Sequence, residues 1–506
     1  MTRISGLASS ICAALTLAGA AQGGMTFGVS EDRGKNTDPA SFFATLKDLG
    51  FTDNRATLAW DPSQPDVIPG KDSLALWLPL AQAAGVRIVF SVSPLHARDL
   101  SSNAAPVAEF ATFLQLLAKT FPQVKDYVIG NEPNQPYFWL PQYGAGGKPV
   151  SAASYERVLA QSYDALKAID PTINVIGIGL SPRGNDDPRA IDNISRSPVR
   201  FLHDLGVAYR ASHRTKPLMD ELSFHPYPHY NSDPPAVGYR WPNAGIPNLG
   251  RIRQAVWDAF NGTAQPTFAE QGKQTFAAPL RFELDEIGWQ VAIPPSLASL
   301  YQGVETEKPV SEISQARYYS RSIKAAECDP SVRSLSFFLL LDEPNLSRWQ
   351  SGLERLDGSH RPSYDAVKQT IAQTQGKCQG KRLTWTHTTH VDSPVAAWQS
   401  LMGSHSTSAT RWSFSASAGE EVAFRAGIFN AGTSNRVIAR ALAGRGTKPL
   451  LSTNGKIKAR KRVIAFPQHS LKRGRYVVAI SMQATMNPSR TSLLVSRAFT
   501  VAKPKK

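Results

Sequence analysis

A closed (β/α)8 barrel followed by a small all-β, sandwich-like domain is the fold class that the sequence predicts, and three observations predict it. Between Met25 and Gly380, short β-branched or aromatic runs alternate with longer amphipathic segments, the pattern of parallel β/α architecture. From Lys381 onward the texture changes to short alternating runs punctuated by Gly and Ser, which suggests strands packed as a small sandwich. The chain has 506 residues, more than the roughly 250 to 300 that one hydrophobic core serves.

The strand-like runs are Met25–Val29, Ala56–Trp60, Arg87–Val92, Asp126–Gly130, Asn174–Ile178, Glu221–His225, Arg281–Glu286 and Ser334–Leu341. Eight is the number that a closed parallel barrel takes. Pro39–Leu49, Leu74–Ala84, Ala105–Phe121, Ala153–Ala168, Val199–Ala211 and Leu249–Phe260 read as helices between them, and Ala316–Ala326 and Tyr364–Gln375 as the last two. Apolar residues there recur at helical spacing, as in Phe110, Phe113, Leu114 and Leu117, giving one buried stripe per helix. An open doubly wound sheet is the competing architecture. No Gly-x-Gly-x-x-Gly follows the first strand and no phosphate loop occurs, which disfavours it. In the tail, Arg411–Ser415, Glu421–Ile428, Arg436–Ala441, Val463–Phe466, Tyr476–Met482 and Ser492–Val501 read as strands, Gly376–Arg382 as the hinge, and Lys503–Lys506 as a frayed end.

Met1-Thr2-Arg3, an apolar run through Leu7, Ile11, Leu15 and Leu17, and the small residues Ala18-Gly19-Ala20-Ala21 have the layout of a secretory signal. Residues 1–21 are therefore expected to be removed and the mature chain to work outside the cytoplasm, secreted or in the cell envelope. The apolar run is shorter than the ~20 residues of a membrane span, so no span is expected. Cys12 would leave with the signal, and Cys328 and Cys378, each just past a predicted helix, are expected to form a disulfide. Charge divides the remainder into residues 22–380 and 381–506. From Lys381 onward 21 lysines and arginines face three acids, so the tail carries +18 while residues 1–380 sum to −2, for a net charge of +16.

Cleaving a glycosidic bond with retention takes two carboxyl groups about 5 to 5.5 Å apart, one to protonate the leaving oxygen and one to attack the anomeric carbon. In a parallel barrel such groups belong at the carboxyl ends of strands. Glu132 follows Tyr127-Val128-Ile129-Gly130-Asn131 at the end of the fourth strand, and Glu286 follows Phe282-Glu283-Leu284-Asp285 at the end of the seventh. A Glu-Pro pair after a strand is also an ordinary turn, and Glu283, Asp285 and Glu343 compete with Glu286. Alternation places Phe282, Leu284 and Glu286 on one strand face and Glu283 and Asp285 on the other.

Gly130-Asn131-Glu132-Pro133-Asn134 and Glu286-Ile287-Gly288-Trp289 resemble the two signatures of the clan A retaining glycoside hydrolases, families 5 and 39 in particular. The resemblance covers about 350 residues. It implies that Glu132 is the acid/base and Glu286 the nucleophile, that Arg55 in Asn54-Arg55-Ala56-Thr57-Leu58-Ala59-Trp60 braces the nucleophile, and that His225 and Tyr227 of His225-Pro226-Tyr227 surround it. It further implies that Asn131 contacts the sugar 2-hydroxyl. Strand eight departs from the pattern: where many clan members carry a sugar-stacking Trp, this chain has Phe337-Phe338-Leu339-Leu340-Leu341. Trp289, Trp139, Tyr137 and Phe138 are the candidate replacements. Trp349, Gly352-Leu353 and Arg361-Pro362-Ser363-Tyr364 resemble the closing loop of such barrels.

No Gly-x-Ser-x-Gly elbow, His-Glu-x-x-His or paired Cys-x-x-Cys occurs, so neither a serine hydrolase nor a zinc site has a motif behind it. No metal and no cofactor is expected, since the carboxylate chemistry needs neither. The expected function is a secreted retaining glycosidase acting on a β-linked oligosaccharide or polysaccharide. The rival is a non-catalytic envelope or polysaccharide-binding protein on the same scaffold. Lys456, Lys458, Arg460, Lys461 and Arg462, with Lys472-Arg473-Gly474-Arg475, are either a solvated strand surface or point to an anionic envelope polymer or acidic polysaccharide as a partner of residues 381–506, in preference to nucleic acid.

Overall fold

Eight parallel strands close into a barrel with neighbours in sequence order: β1 (Thr26–Ser30), β2 (Asp53–Trp60), β3 (Arg87–Pro94), β4 (Asp126–Ile129), β5 (Asn174–Leu180), β6 (Glu221–Phe224), β7 (Phe282–Ile287) and β8 (Val332–Phe337). The computed structural model describes residues 24–36, 38–101, 104–273 and 276–387, and in the C-terminal region 402–405, 409–415, 421–458, 461–467, 471–484, 491–495 and 498–501. The predicted export signal and frayed end lie outside the described residues. Every predicted barrel strand is present, with ends displaced by a few residues.

The helices are α1 (Arg33–Asn36), α2 (Pro39–Leu49), α3 (Lys71–Ala84), α4 (Ala104–Thr120), α5 (Ser151–Ile169), α6 (Pro198–Ala211), α7 (Leu249–Phe260), α8 (Glu312–Glu327) and α9 (Pro362–Thr374). The sequence of α2 shows why they form. Asp38 caps it by accepting the N–H groups of Ala40 and Ser41, Pro39 occupies the first turn, and Gly50 ends it at φ 78°, where a side chain would be strained. Phe42, Phe43, Leu46 and Leu49 make its buried face.

Charged groups plug the barrel at the amino-terminal ends of its strands. Arg87 bridges Asp53 at 2.8 Å, Asp126 at 3.0 Å and Glu283 at 3.0 Å, and Arg333 reaches Glu221 at 2.6 Å. Burial, with Glu283 beside it, pushes the Glu221 carboxyl up to about 7. Above the plug Val89, Val128 and Ile176 form a thin apolar layer. This end is packed shut, so the opposite end, where the strands' carboxyl termini open into loops, is left for chemistry.

Cys328, the C-cap of α8, and Cys378, just beyond α9, form the expected disulfide. It closes a loop with a sequence separation of 50, worth roughly 4 kcal/mol in the chain-entropy account. Reduction is expected to lower the urea midpoint by that amount of stability. An equal midpoint with and without reductant would contradict the contribution.

The chain does not leave the barrel at the predicted hinge. Leu383 donates its N–H to Cys328 O at 2.7 Å, Gln271 donates to Trp385 O at 2.9 Å, and the His387 ring stacks on Trp257 with centroids 3.8 Å apart. Residues 381–387 are therefore docked on the barrel.

The C-terminal unit holds a three-stranded sheet of β9 (Met402–His405), β10 (Ala409–Ser415) and β13 (Lys461–Pro467). A five-stranded sheet holds β11 (Glu421–Asn430), β12 (Leu451–Lys458), β14 (Gly474–Ala484), β15 (Thr491–Val495) and β16 (Phe499–Val501). All pairings are antiparallel. Phe424, Ile428, Ile464, Phe466, Val478 and Ile480 share one core between the sheets, as in a sandwich.

Three tail assignments are corrected. Arg436–Ala441 is not a strand but most of a helix, α10 (Asn435–Leu442), capped by Ser434. Its six residues fit a period of 2 as well as 3.6 until Ile438, Ala441 and Leu442 are seen packed on Phe429 and Val477. Ser492–Val501 divides into β15 and β16, which flank β14 on different partners. β9 and β12 are additional strands; the Gly455 within β12 weakens its strand signature.

Candidate active site

Asn131, Glu132, His225, Tyr227 and Glu286 gather at the carboxyl ends of β4, β6 and β7, and the Arg55 side chain reaches them from within β2. Arg55 lies inside the barrel on β2, buried at 4% exposure. Its Nη1 donates to Glu286 Oε1 at 2.7 Å, its Nη2 to Asn131 Oδ1 at 2.8 Å, and its Nε is 3.0 Å from Asp285 Oδ2. Tyr227 donates its hydroxyl to Glu286 Oε2 at 3.0 Å. Both oxygens of Glu286 are thus held by donors.

His225, fully buried, stands between the two glutamates. Its Nδ1 is 2.9 Å from Glu132 Oε1 and 3.6 Å from Glu286 Oε2, and its Nε2 is 3.5 Å from Asp285 Oδ1. Two oxygens that lie 2.9 and 3.6 Å from one nitrogen can be no farther apart than the sum, 6.5 Å. Burial works against charge on this imidazole, but Glu286, Asp285 and Glu132 outweigh it and hold its pKa above the ordinary histidine value. Burial, then Glu286 and Glu132, raise the Tyr227 phenol, keeping it a donor.

Local backbone aims both glutamates. After β4, Gly130 at φ 80° and Glu132 itself at φ 38° turn the chain across the barrel mouth, and the Glu132 N–H bonds Gly179 O at 2.8 Å. A glutamate in that left-handed region is strained, and such strain persists where the surroundings impose it. On β7, alternation alone points the wrong way. Phe282 and Leu284 pack in the core between barrel and helices, so a regular strand would send Glu286 there too. The register of β7 against β8 shifts between Leu284 and Ile287, and an irregularity of this kind re-aims a side chain. Glu286 thereby joins Asp285 on the inner side. Asp285 lies deeper, accepting from Ser223 Oγ at 2.6 Å; burial raises its pKa against the pull of His225 and Arg55. Glu283, the other competitor, belongs to the plug, and Glu343 accepts the Trp349 N–H at 2.9 Å.

Two predicted stacking platforms are corrected. Trp289 is 1% exposed, donates Nε1–H to Asp233 O at 2.9 Å and packs on Tyr318 and Tyr319. Trp139 is also 1% exposed, donates to Ser154 Oγ at 2.9 Å and packs edge-on to Tyr155. Neither ring has a face open to a sugar; each packs in the core with its N–H satisfied. Tyr137 is exposed and packs against Phe138; neither ring lines the cleft described next.

The tryptophan that does reach the cleft is Trp349, half-buried, from the loop after β8. It lines a cleft of about 310 Å³ together with Glu132, Gln135, Tyr227, His229 and Asn231, and its ring lies 4.7 Å from that of Tyr227. The sequence marked Trp349 as part of a closing loop but not as a platform, because its approach to Tyr227 depends on the course of that loop. The stretch after Tyr227 lines the cleft with Pro228, His229 and Asn231, fixed where Tyr239 donates to Pro228 O at 2.7 Å. Trp349→Ala is expected to raise KM about tenfold on a cleaved glycan through lost stacking, with a smaller change in kcat. An unchanged KM would remove Trp349 from the binding surface.

Among the described residues no group of His, Cys, Asp and Glu is arranged to hold a metal, and no helix is long and apolar enough to cross a membrane. No protein-family model and no curated protein matches the chain. Among solved structures it is similar to a family 39 glycoside hydrolase from the gut symbiont Bacteroides cellulosilyticus (TM-score 0.47, 16% identity, 81% of this chain and 74% of that one). It is also similar to a family 39 β-xylosidase from Caulobacter crescentus (0.44, 15%, 88% and 96%). A third is a family 5, subfamily 18 enzyme from Streptomyces cattleya in complex with Manβ1-4GlcNAc (0.46, 16%, 71% and 83%). These neighbours are glycoside hydrolases.

Proposed function

We propose that the protein is an exported retaining glycoside hydrolase that cleaves a β-linked glycan by double displacement. The observation that carries the reading is the convergence of Glu132 and Glu286 on one nitrogen of His225, with nearest oxygens at most 6.5 Å apart. Retaining pairs stand about 5 to 5.5 Å apart, whereas inverting pairs take about 6.5 to 9.5 Å to admit a water.

In the first step protonated Glu132 gives its proton to the glycosidic oxygen as that bond breaks, and a Glu286 oxygen bonds to the anomeric carbon. In the second, Glu132, now a carboxylate, takes a proton from water; the water oxygen bonds to the anomeric carbon and the ester to Glu286 breaks. Arg55 and Tyr227 hold the two Glu286 oxygens in place, His225 orients Glu132, and the Asn131 amide is assigned to the 2-hydroxyl. The sugar ring rests against Trp349.

The test is NMR detection of the anomer first released from a cleaved β-glycoside. Retention is expected. Inverted product would overturn the mechanism, and absence of product across a broad glycan panel would favour the non-catalytic binding protein.

A further inference from the structure

From Val422 to Lys506 the chain contains 18 lysines and arginines and no aspartate or glutamate. The fold gathers part of this charge on one face. α10 covers one side of the five-stranded sheet, with Ile438 and Leu442 against Phe429, Val477 and Ala479. Strand alternation places Arg425, four residues before Phe429 on β11, and Arg475, two before Val477 on β14, on that same side. Arg425 Nη1 donates to Leu442 O at the end of α10, at 3.1 Å. Arg436 and Arg440 stand one turn apart on the helix, and the Arg445 N–H bonds Arg440 O at 2.8 Å. All five arginines are exposed. Like charges at i and i+4 destabilise a helix, and a face serving solubility alone would intersperse acids.

We propose that this arginine face binds a linear anionic polysaccharide. A guanidinium matches carboxylate or sulfate oxygens two at a time. One exposed pair contributes little, so a free monomeric anion gains little, whereas a polymer engages several guanidiniums at once. The described aromatic side chains of this unit (Phe424, Phe429, Phe466, Tyr476 and Phe499) are buried, so none of these five offers the stacking platform used for single-stranded nucleic acid. The choice of polysaccharide over nucleic acid also rests on the glycosidase reading of the barrel.

The test uses the full chain, with polygalacturonate and dextran sulfate as probes, neutral dextran as control, and a DNA duplex as the competing class. Binding to at least one anionic polysaccharide, weakening as salt rises, is expected; which of the two binds identifies carboxylate or sulfate. The variant Arg436→Gln/Arg440→Gln/Arg445→Gln/Arg475→Gln spares Arg425 and its bond to α10. It is expected to bind about tenfold more weakly, with an unchanged melting temperature and unchanged hydrolysis of a small aryl glycoside. Binding by neither probe, salt-insensitive binding, or tighter binding of the duplex overturns the proposal, and each can be read on the wild-type chain. Because the readout is binding, it stands apart from whether the barrel hydrolyses anything.

Discussion

Replacing Glu286 by glutamine is expected to lower kcat by about 10⁴-fold or more on any glycan that the wild-type protein cleaves, with little change in melting temperature. Glutamine keeps the volume and still offers Tyr227 an oxygen, while Arg55 retains Asp285 at 3.0 Å, so the barrel mouth stays assembled. What is lost is the oxygen that, in the proposed mechanism, bonds to the anomeric carbon. Glu132→Gln is expected to behave differently, with a loss of about 10² to 10⁴. That loss should shrink on aryl glycosides whose leaving group needs no proton, because only the departure of the aglycone then loses its acid. Equal loss on good and poor leaving groups would contradict the division of labour between the two residues.

Arg361→Met is expected to destabilise the barrel by about 3 to 5 kcal/mol, a large share of the roughly 5 to 15 kcal/mol that holds a domain folded. The Arg361 guanidinium has no exposed surface. It meets Asp342 with two bonds, 2.5 and 2.6 Å, and reaches Glu312 at 3.2 Å and Gly352 O at 3.1 Å. Without it Asp342 is left as a buried charge, though Tyr301 Oη–H at 2.7 Å and the Gly352 N–H at 3.0 Å still donate to it. Asp342 and Glu343 form the base of the loop that carries Trp349, so KM should rise together with the loss of stability. The check is the urea midpoint, alongside Arg361→Met/Asp342→Leu. The double variant removes both charges and is expected to recover part of the loss. A midpoint shift below about 1 kcal/mol for the single variant would contradict the role assigned to the pair.

The barrel was legible because its eight strands are buried on both sides and read as short apolar runs, each followed by a helical stripe such as Phe110, Phe113, Leu114 and Leu117. The disulfide was legible from two cysteines placed after successive helices. Glu132 and Glu286 were legible as residue types at strand ends, but the orientation of Glu286 was not: strict alternation sends it to the helix layer with Leu284, and the register shift that turns it inward arises between two strands. The tryptophans failed for a related reason. Sequence cannot separate an indole buried with its N–H satisfied, as Trp139 on Ser154 and Trp289 on Asp233, from one open to a ligand, and Trp349 reaches Tyr227 only through a loop closed by Asp342 and Arg361. In the tail, α10 was hidden because six residues carry two periods equally well and tertiary contact decides between them.

Attachment of the sugar to Glu286 is tested by incubating the wild-type protein with a panel of 2-deoxy-2-fluoro β-glycosides bearing activated leaving groups and mapping any adduct by peptide mass spectrometry. One sugar per chain is expected, on the peptide containing Phe282–Ile287 and at Glu286. Attachment at Asp285 or Glu132, or turnover of a glycan by a protein that forms no adduct with the matching fluoro-glycoside, would contradict it.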